Sequence, residues 1–152
     1  MISYKRLKQD KGFTLIEVLL VLSVVSLLAT FPVLHFTQLK KETEMQLFFE
    51  SLRSSITLIQ SEAIVNHHWT MMEVRPTNRL IRFRVTGLDN TEHPANHSLY
   101  LPESISLVGT TKDYSFSSGS GNLGNINVIY FNTIHGRVSV SFQMGSGRFV
   151  IE

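Results

Sequence analysis

Lys11-Gly12-Phe13-Thr14-Leu15-Ile16-Glu17 opens an apolar run, FTLIEVLLVLSVVSLLATFPVL, that continues to Leu34 and carries Glu17 as its only charge. As a helix, the 22 residues 13–34 would span roughly 30 Å at 1.5 Å per residue, the thickness of a bilayer's hydrocarbon core. Lys5, Arg6, Lys8 and Lys11 stand before the run, which predicts a cytoplasmic N-terminus and a C-terminal part outside the membrane. A secretory signal also begins with basic residues, but its apolar stretch is about 7–15 residues long and ends at a small-residue cleavage site. This run is longer, and no A-x-A precedes Pro32. A carboxylate at the edge of an apolar helix costs on the order of 2–3 kcal/mol unless a partner neutralises it. Glu17 therefore either snorkels toward the cytoplasmic headgroups or has a partner and a task.

Outward from this segment the helical pattern continues. Pro32 removes one backbone donor and predicts a kink rather than an end, because neighbouring packing in a membrane tolerates it. Phe36, Leu39, Phe48, Leu52, Ile56, Ile59 and Ala63 recur mostly at three- and four-residue intervals and form one apolar stripe. Lys40, Lys41, Glu42, Glu44, Glu50, Arg53 and Glu62 make a solvated opposite face. Helix is predicted from Phe13 to about Asn66. From Trp69 the period changes to two, with strands over Trp69–Arg75, Arg79–Thr86, Ser104–Val108, Ile126–Phe131, Arg137–Phe142 and Arg148–Ile151. Turns are expected at Pro76-Thr77-Asn78, Gly87-Leu88-Asp89-Asn90, His135-Gly136 and Gly145-Ser146-Gly147. Ile81, Phe83 and Val85 alternate with Arg82 and Arg84, so one face packs and the other is wet. The stripe Phe48–Ala63 is available to cover the packed face, which predicts an α+β fold: a long N-terminal helix packed on a C-terminal antiparallel sheet. The expected organisation is a leader (1–12), a membrane-spanning or filament-core helix (13–34), an amphipathic half of the helix (35–66) and a sheet domain (67–152).

Composition excludes several functions. The 152 residues include no cysteine, so no disulfide framework, thiol nucleophile or zinc–thiolate site exists. The formal charge of +2 resides in the first twelve residues, and without them ten basic and eleven acidic residues remain, net −1. A global basic field is thus no argument for nucleic-acid binding by residues 13–152. No G-x-S-x-G or comparable nucleophile setting appears. Ser117–Asn125 reads as a flexible loop, without the strand–loop–helix order or following lysine of a phosphate cradle. His67 with His68, and His93 with His97, invite a metal reading, but adjacent histidines at a helix end point apart and the second pair lies in a polar loop. Neither an enzyme, a cofactor nor a metal site is expected.

The heptapeptide at 11–17 resembles the recognition sequence of type IV prepilins, which implies cleavage by a membrane prepilin peptidase between Gly12 and Phe13 and N-methylation of Phe13. The resemblance makes Glu17 the fifth mature residue, beside the new α-ammonium of Phe13 in its own or a neighbouring subunit, where each charge neutralises the other in lipid. Val128-Ile129-Tyr130-Phe131, Gly136–Phe142 and Gly145-Ser146-Gly147-Arg148 look like the C-terminal sheet of minor pseudopilins of the GspH/FimT type. Gln46–Leu52 and Ile59–Ile64 are similar to the ComGD-type competence pseudopilins of Gram-positive bacteria. The resemblance implies a minor subunit of a filament that brings external DNA to an uptake machine, with other pseudopilins, the peptidase, membrane lipid and DNA as partners. Arg75, Arg79, Arg82, Arg84, Arg137 and Arg148 are the candidate DNA contacts, and solvation of the sheet's wet face is the other reading of the same residues. A minor pilin of a type II secretion or type IV pilus system is the alternative within the family; outside it stands a single-pass membrane protein with an external β-rich binding domain.

Overall fold

The computed structural model describes residues 12–87, 93–124, 127–143 and 147–152, and for residues 30–35 the backbone alone. The leader residues 1–11, the predicted turn at Leu88-Asp89-Asn90, the strand start at Ile126 and the turn at Gly145-Ser146 lie outside the described residues. Two compact units divide the chain, Met1–Leu39 and Lys40–Glu152.

The helix α1 (Leu15–Val65) begins and ends within two residues of the predicted limits. Within the first unit its described side chains are exposed and mostly apolar, the large apolar ones from Leu15 at 81% to Val24 at 46%. Among the described residues no helix is long and apolar enough to cross a membrane. The described apolar stretch from Leu15 to Ala29 spans about 22 Å at 1.5 Å per residue, short of the roughly 30 Å of a hydrocarbon core; the predicted span 13–34 includes residues 30–35.

In the second unit the predicted stripe is buried: Phe48, Leu52, Ile56, Ile59 and Ala63 are at most 4% exposed. Burying a Leu or Ile side chain of this kind contributes roughly 1.5–3 kcal/mol. Among the described residues eight strands follow: β1 (Trp69–Arg75), β2 (Leu80–Thr86), β3 (His97–Tyr100), β4 (Ser106–Val108), β5 (Lys112–Phe116), β6 (Ile129–Thr133), β7 (Gly136–Phe142) and β8 (Phe149–Ile151). The single sheet expected from sequence is two antiparallel sheets of four strands, ordered β3-β2-β1-β5 and β4-β6-β7-β8. Two strands, β3 and β5, are additions to the predicted set; they flank the β1–β2 hairpin as edges. The inner faces supply Met72, Val74, Ile81, Phe83, Tyr114 and Phe116 from the first sheet and Ile129, Phe131, Val140 and Phe142 from the second, in one core with the α1 stripe. Phe48, Phe49 and Phe131 meet edge to face, with centroids 5.4–5.8 Å apart, an arrangement favoured by their quadrupoles.

Residues 117–124 of the predicted flexible loop are pinned. Gly119 donates its N–H to the carbonyl of Ala63 at 2.8 Å, satisfying one of the orphan acceptors at the end of α1, and the Ser118 hydroxyl donates to the carbonyl of His67 at 2.6 Å.

Candidate functional site

At the N-terminal end, Gly12, Phe13 and Thr14 precede the helix in non-helical conformation. Thr14 caps it: the Glu17 N–H donates to the Thr14 carbonyl at 3.1 Å and approaches its Oγ1 at 3.4 Å. Thr14-Leu15-Ile16-Glu17 is a T-x-x-E capping signature, so Glu17 stands in the first turn, where the helix dipole favours negative charge. This capping role of Thr14 was legible in the sequence as that spacing and was not among the expected site residues. Among the described residues nothing requires glycine at Gly12, where a Cβ would meet no atom within 4 Å. Pro32 lies within α1, which runs on past it to Val65.

Four of the six candidate arginines sit on or beside the β1–β2 hairpin, and each has a protein partner. Glu73, whose side chain is 9% exposed, receives Arg75 Nη2 at 3.1 Å, Arg84 Nη1 at 3.5 Å and Arg82 Nη1 at 3.7 Å. The register explains the cluster, because Glu73 pairs with Arg82 across β2 and with Asp113 across β5. Arg75 also bonds Asp113 at 2.5 Å. Three guanidiniums therefore face two carboxylates. Arg79 occupies the left-handed region at φ 53° in the hairpin turn, and its Nη2 donates to the carbonyls of Pro102 and Ile105 at 2.9 and 3.3 Å. Arg137 lies over the ring of Tyr130 at 5.7 Å, within cation–π range. Arg148 is exposed beside β8.

A third constellation was missed by sequence reasoning. Glu62, expected on the solvated helix face, has a side chain only 12% exposed. His68 Nδ1 reaches its Oε1 at 3.0 Å and His93 Nε2 reaches the same oxygen at 3.4 Å. Asn66 Nδ2 donates to the other oxygen, Oε2, at 2.8 Å. The pairs weighed from sequence, His67 with His68 and His93 with His97, are not the ones that meet. The αL turn at His67, φ 52°, reverses the chain after α1 and turns His68 back onto Glu62, a tertiary placement that sequence spacing does not carry. Burial raises the Glu62 carboxyl, but the bonds from Asn66 and His68 and the charges of His93 and His68 outweigh it and hold it below its ordinary value. His97 is used elsewhere: its Nε2 lies 2.8 Å from the Ser55 hydroxyl and its Nδ1 lies 3.0 Å from the Ala95 carbonyl. Ser55 is 7% exposed, so this pair staples β3 to α1.

The prokaryotic N-terminal methylation motif matches residues 7–31. No curated protein matches the sequence. Among solved structures the chain is similar to the type IV minor pilin FimU of Pseudomonas aeruginosa strain PAO1, at TM-score 0.55 and 15% identity over 74% of this chain and 90% of that one. A second crystal form of FimU aligns at TM-score 0.51 and 14% identity over 70% and 91%. The minor pseudopilin EpsH from the Type 2 Secretion System of Vibrio cholerae aligns at TM-score 0.49 and 13% identity over 74% and 94%. The α+β fold, a helix followed by C-terminal antiparallel sheet, is thus that of a type IV minor pilin.

Proposed function

We propose that this chain is the precursor of a minor pilin-like filament subunit, a structural and interaction protein rather than an enzyme. In this reading a prepilin peptidase cuts between Gly12 and Phe13, Phe13 is N-methylated, and segment 13–34 holds the subunit in the plasma membrane. The part from 67 to 152 then lies outside and reaches the cell surface when the subunit joins other pseudopilins in a filament.

The observation that carries the reading is Glu17, a carboxylate in the first turn of α1 and the one charge in its stretch Leu15–Ala29, which exposes apolar side chains. Such a stretch belongs in lipid or in a protein core, and a carboxylate there calls for a cation. Hydrolysis of the Gly12–Phe13 bond would create one, the Phe13 α-ammonium, about one turn away. The bond itself is accessible to a peptidase, since it precedes the Thr14 cap in non-helical backbone. The absence of any packing demand at Gly12 fits a glycine required by an enzyme that reads it.

The system we assign is a competence pilus for uptake of external DNA, on the resemblance of Gln46–Leu52, Ile59–Ile64 and the C-terminal strands to ComGD-type pseudopilins. DNA-facing cations in this reading are Arg82 and Arg84, 46% and 59% exposed, with Arg137 and Arg148; Arg75 and Arg79 serve chiefly the fold. The likeness to FimU favours a second reading, a minor pilin of a type IV pilus or secretion system. Transformation and secretion assays on a deletion strain separate the two. The decisive test of the shared premise is the mass and N-terminal residue of the protein isolated from its host. Methylated Phe13 is expected; mature material that begins at Met1 would leave a single-pass membrane protein with a β-rich outer domain.

A further inference from the structure

We propose that Glu62, His68 and His93 form a binding site for a divalent transition-metal ion, best matched by Zn2+, at the junction of α1, β1 and the segment between β2 and β3. The donors come from three places in the chain: Glu62 from the last turns of α1, His68 from the α1–β1 junction, His93 from the β2–β3 connection. Their ligand atoms all lie within 4.8 Å of one another. Metal bonds of about 2.0–2.2 Å set the donors of a tetrahedral site about 3.3–3.5 Å apart. One of the three edges already has that size, Glu62 Oε1 to His93 Nε2 at 3.4 Å, and the edge from Glu62 Oε1 to His68 Nδ1, at 3.0 Å, needs to open by a few tenths of an ångström.

The carboxylate is prepared for a monodentate role. Asn66 holds Oε2 at 2.8 Å, which leaves Oε1 directed at both imidazoles; a partner of this kind fixes a ligand's orientation and tunes its basicity. Two imidazoles and one carboxylate suit Zn2+ and its first-row neighbours rather than Mg2+ or Ca2+, which demand oxygen donors. A bound ion would carry its fourth position on water.

Without metal the same contacts are N–H to carboxylate bonds. Ala95 donates its N–H to His93 Nδ1 at 3.2 Å, which keeps the proton of a neutral His93 on Nε2. The ion binds at the two nitrogens that face Oε1, the proton each neutral ring carried there passes through solvent to its other nitrogen, Nε2 of His68 and Nδ1 of His93, and the Ala95 contact opens. The consequence is mechanical: an ion here ties the β2–β3 connection to the end of α1.

The experiment uses the full-length chain without a histidine tag, in detergent micelles, stripped with a chelator. Zn2+ is titrated by calorimetry, Co2+ by visible absorption, and Mg2+ serves as the control. Expected are one Zn2+ per chain, the intense visible bands of four-coordinate Co2+, no Mg2+ heat, and a thermal midpoint that rises with Zn2+ concentration. His68→Ala and His93→Ala should each weaken Zn2+ by at least about tenfold, whereas His135→Ala, remote in sequence and paired with Glu42, should not. Thermal midpoints in chelator report whether the variants fold, and His93→Gln replaces any alanine variant that does not. Absence of binding up to millimolar Zn2+, or an unchanged affinity in the folded His68 and His93 variants, overturns the proposal.

Discussion

Tyr114 is 1% exposed, its ring 5.6 Å from that of Phe142, and its hydroxyl has no hydrogen-bond partner among the described residues. A buried hydroxyl left unpaired costs about 1–3 kcal/mol. Burial also pushes its ionisation up from 10.0 to about 12, because the phenolate would be stranded in the core. Both effects predict the same variant. Tyr114→Phe should raise stability by about 1 kcal/mol at neutral pH, read from denaturant midpoints in a constant detergent. The pH dependence has a fixed sign. An unfolded tyrosine releases its proton near pH 10, whereas the folded one holds it to about 12, so stability is flat below 10 and falls between about 10 and 12. The fall attributable to this residue is on the order of 2–3 kcal/mol. Tyr114→Phe should be more resistant to alkaline unfolding by that margin; equal curves for the two proteins above pH 10 would show that the hydroxyl is solvated or paired.

Gly147 shows how the elements are locked together. It has φ +62°, and a Cβ there would lie 2.5 Å from the carbonyl oxygen of Gly121 and 2.8 Å from Gln60 Nε2, while Gln60 donates that same Nε2 to the Gly147 carbonyl. The loop 117–124, the approach to β8 and helix α1 meet at this point. Gly147→Ala combines a left-handed strain of about 1 kcal/mol with a backbone clash, and we expect a loss of at least 2 kcal/mol and a lowered thermal midpoint. Gly87→Ala, at φ +85° but with open space around its Cβ, should show the strain alone. The β1–β2 hairpin carries the DNA reading to a test at the same scale. Arg82→Ala with Arg84→Ala should weaken retention of duplex DNA by the full-length chain and lower its salt slope by up to about 2. Retention unchanged by the pair would remove the hairpin from that reading. The strands with alternating faces, β2 and β7, were legible in sequence to within a residue, and so was β1, although its Met72, Glu73 and Val74 are buried in succession. His97–Tyr100 was not, because all four of its positions are partly or fully exposed and no buried face marks it. Lys112–Phe116 buries Tyr114 and Phe116 but begins with two charges, too short a pattern to stand apart from the loop around it.

Across the whole molecule, the second unit buries the one-faced stripe of α1 in its core whereas the first exposes its described apolar residues, a contrast that was legible in sequence as a change from a one-faced stripe to an apolar run without a polar face. The histidine–glutamate cluster was not legible, since Glu62 and His93 are 31 positions apart in a chain whose turns alone bring them together. The exposed first unit needs an environment that the chain does not itself supply, and the proposed filament provides one: apolar neighbours for Leu15–Ala29 and a cation for Glu17. Gly12 and Glu17 then have separable roles. Gly12→Ala should leave the thermal midpoint unchanged, as its Cβ meets nothing within 4 Å, yet stop processing, so that the protein in the membrane fraction keeps the mass of the unprocessed chain. Glu17→Ala should be processed to a chain starting at Phe13 but enter filaments poorly. A paired carboxylate and ammonium in lipid differ from an unpaired ammonium by on the order of 2 kcal/mol, which corresponds to at least a tenfold lower share in the sheared filament fraction relative to the membrane fraction. Normal incorporation of Glu17→Ala would mean that the carboxylate's role ends with the helix cap it shares with Thr14, and that helix packing alone drives assembly.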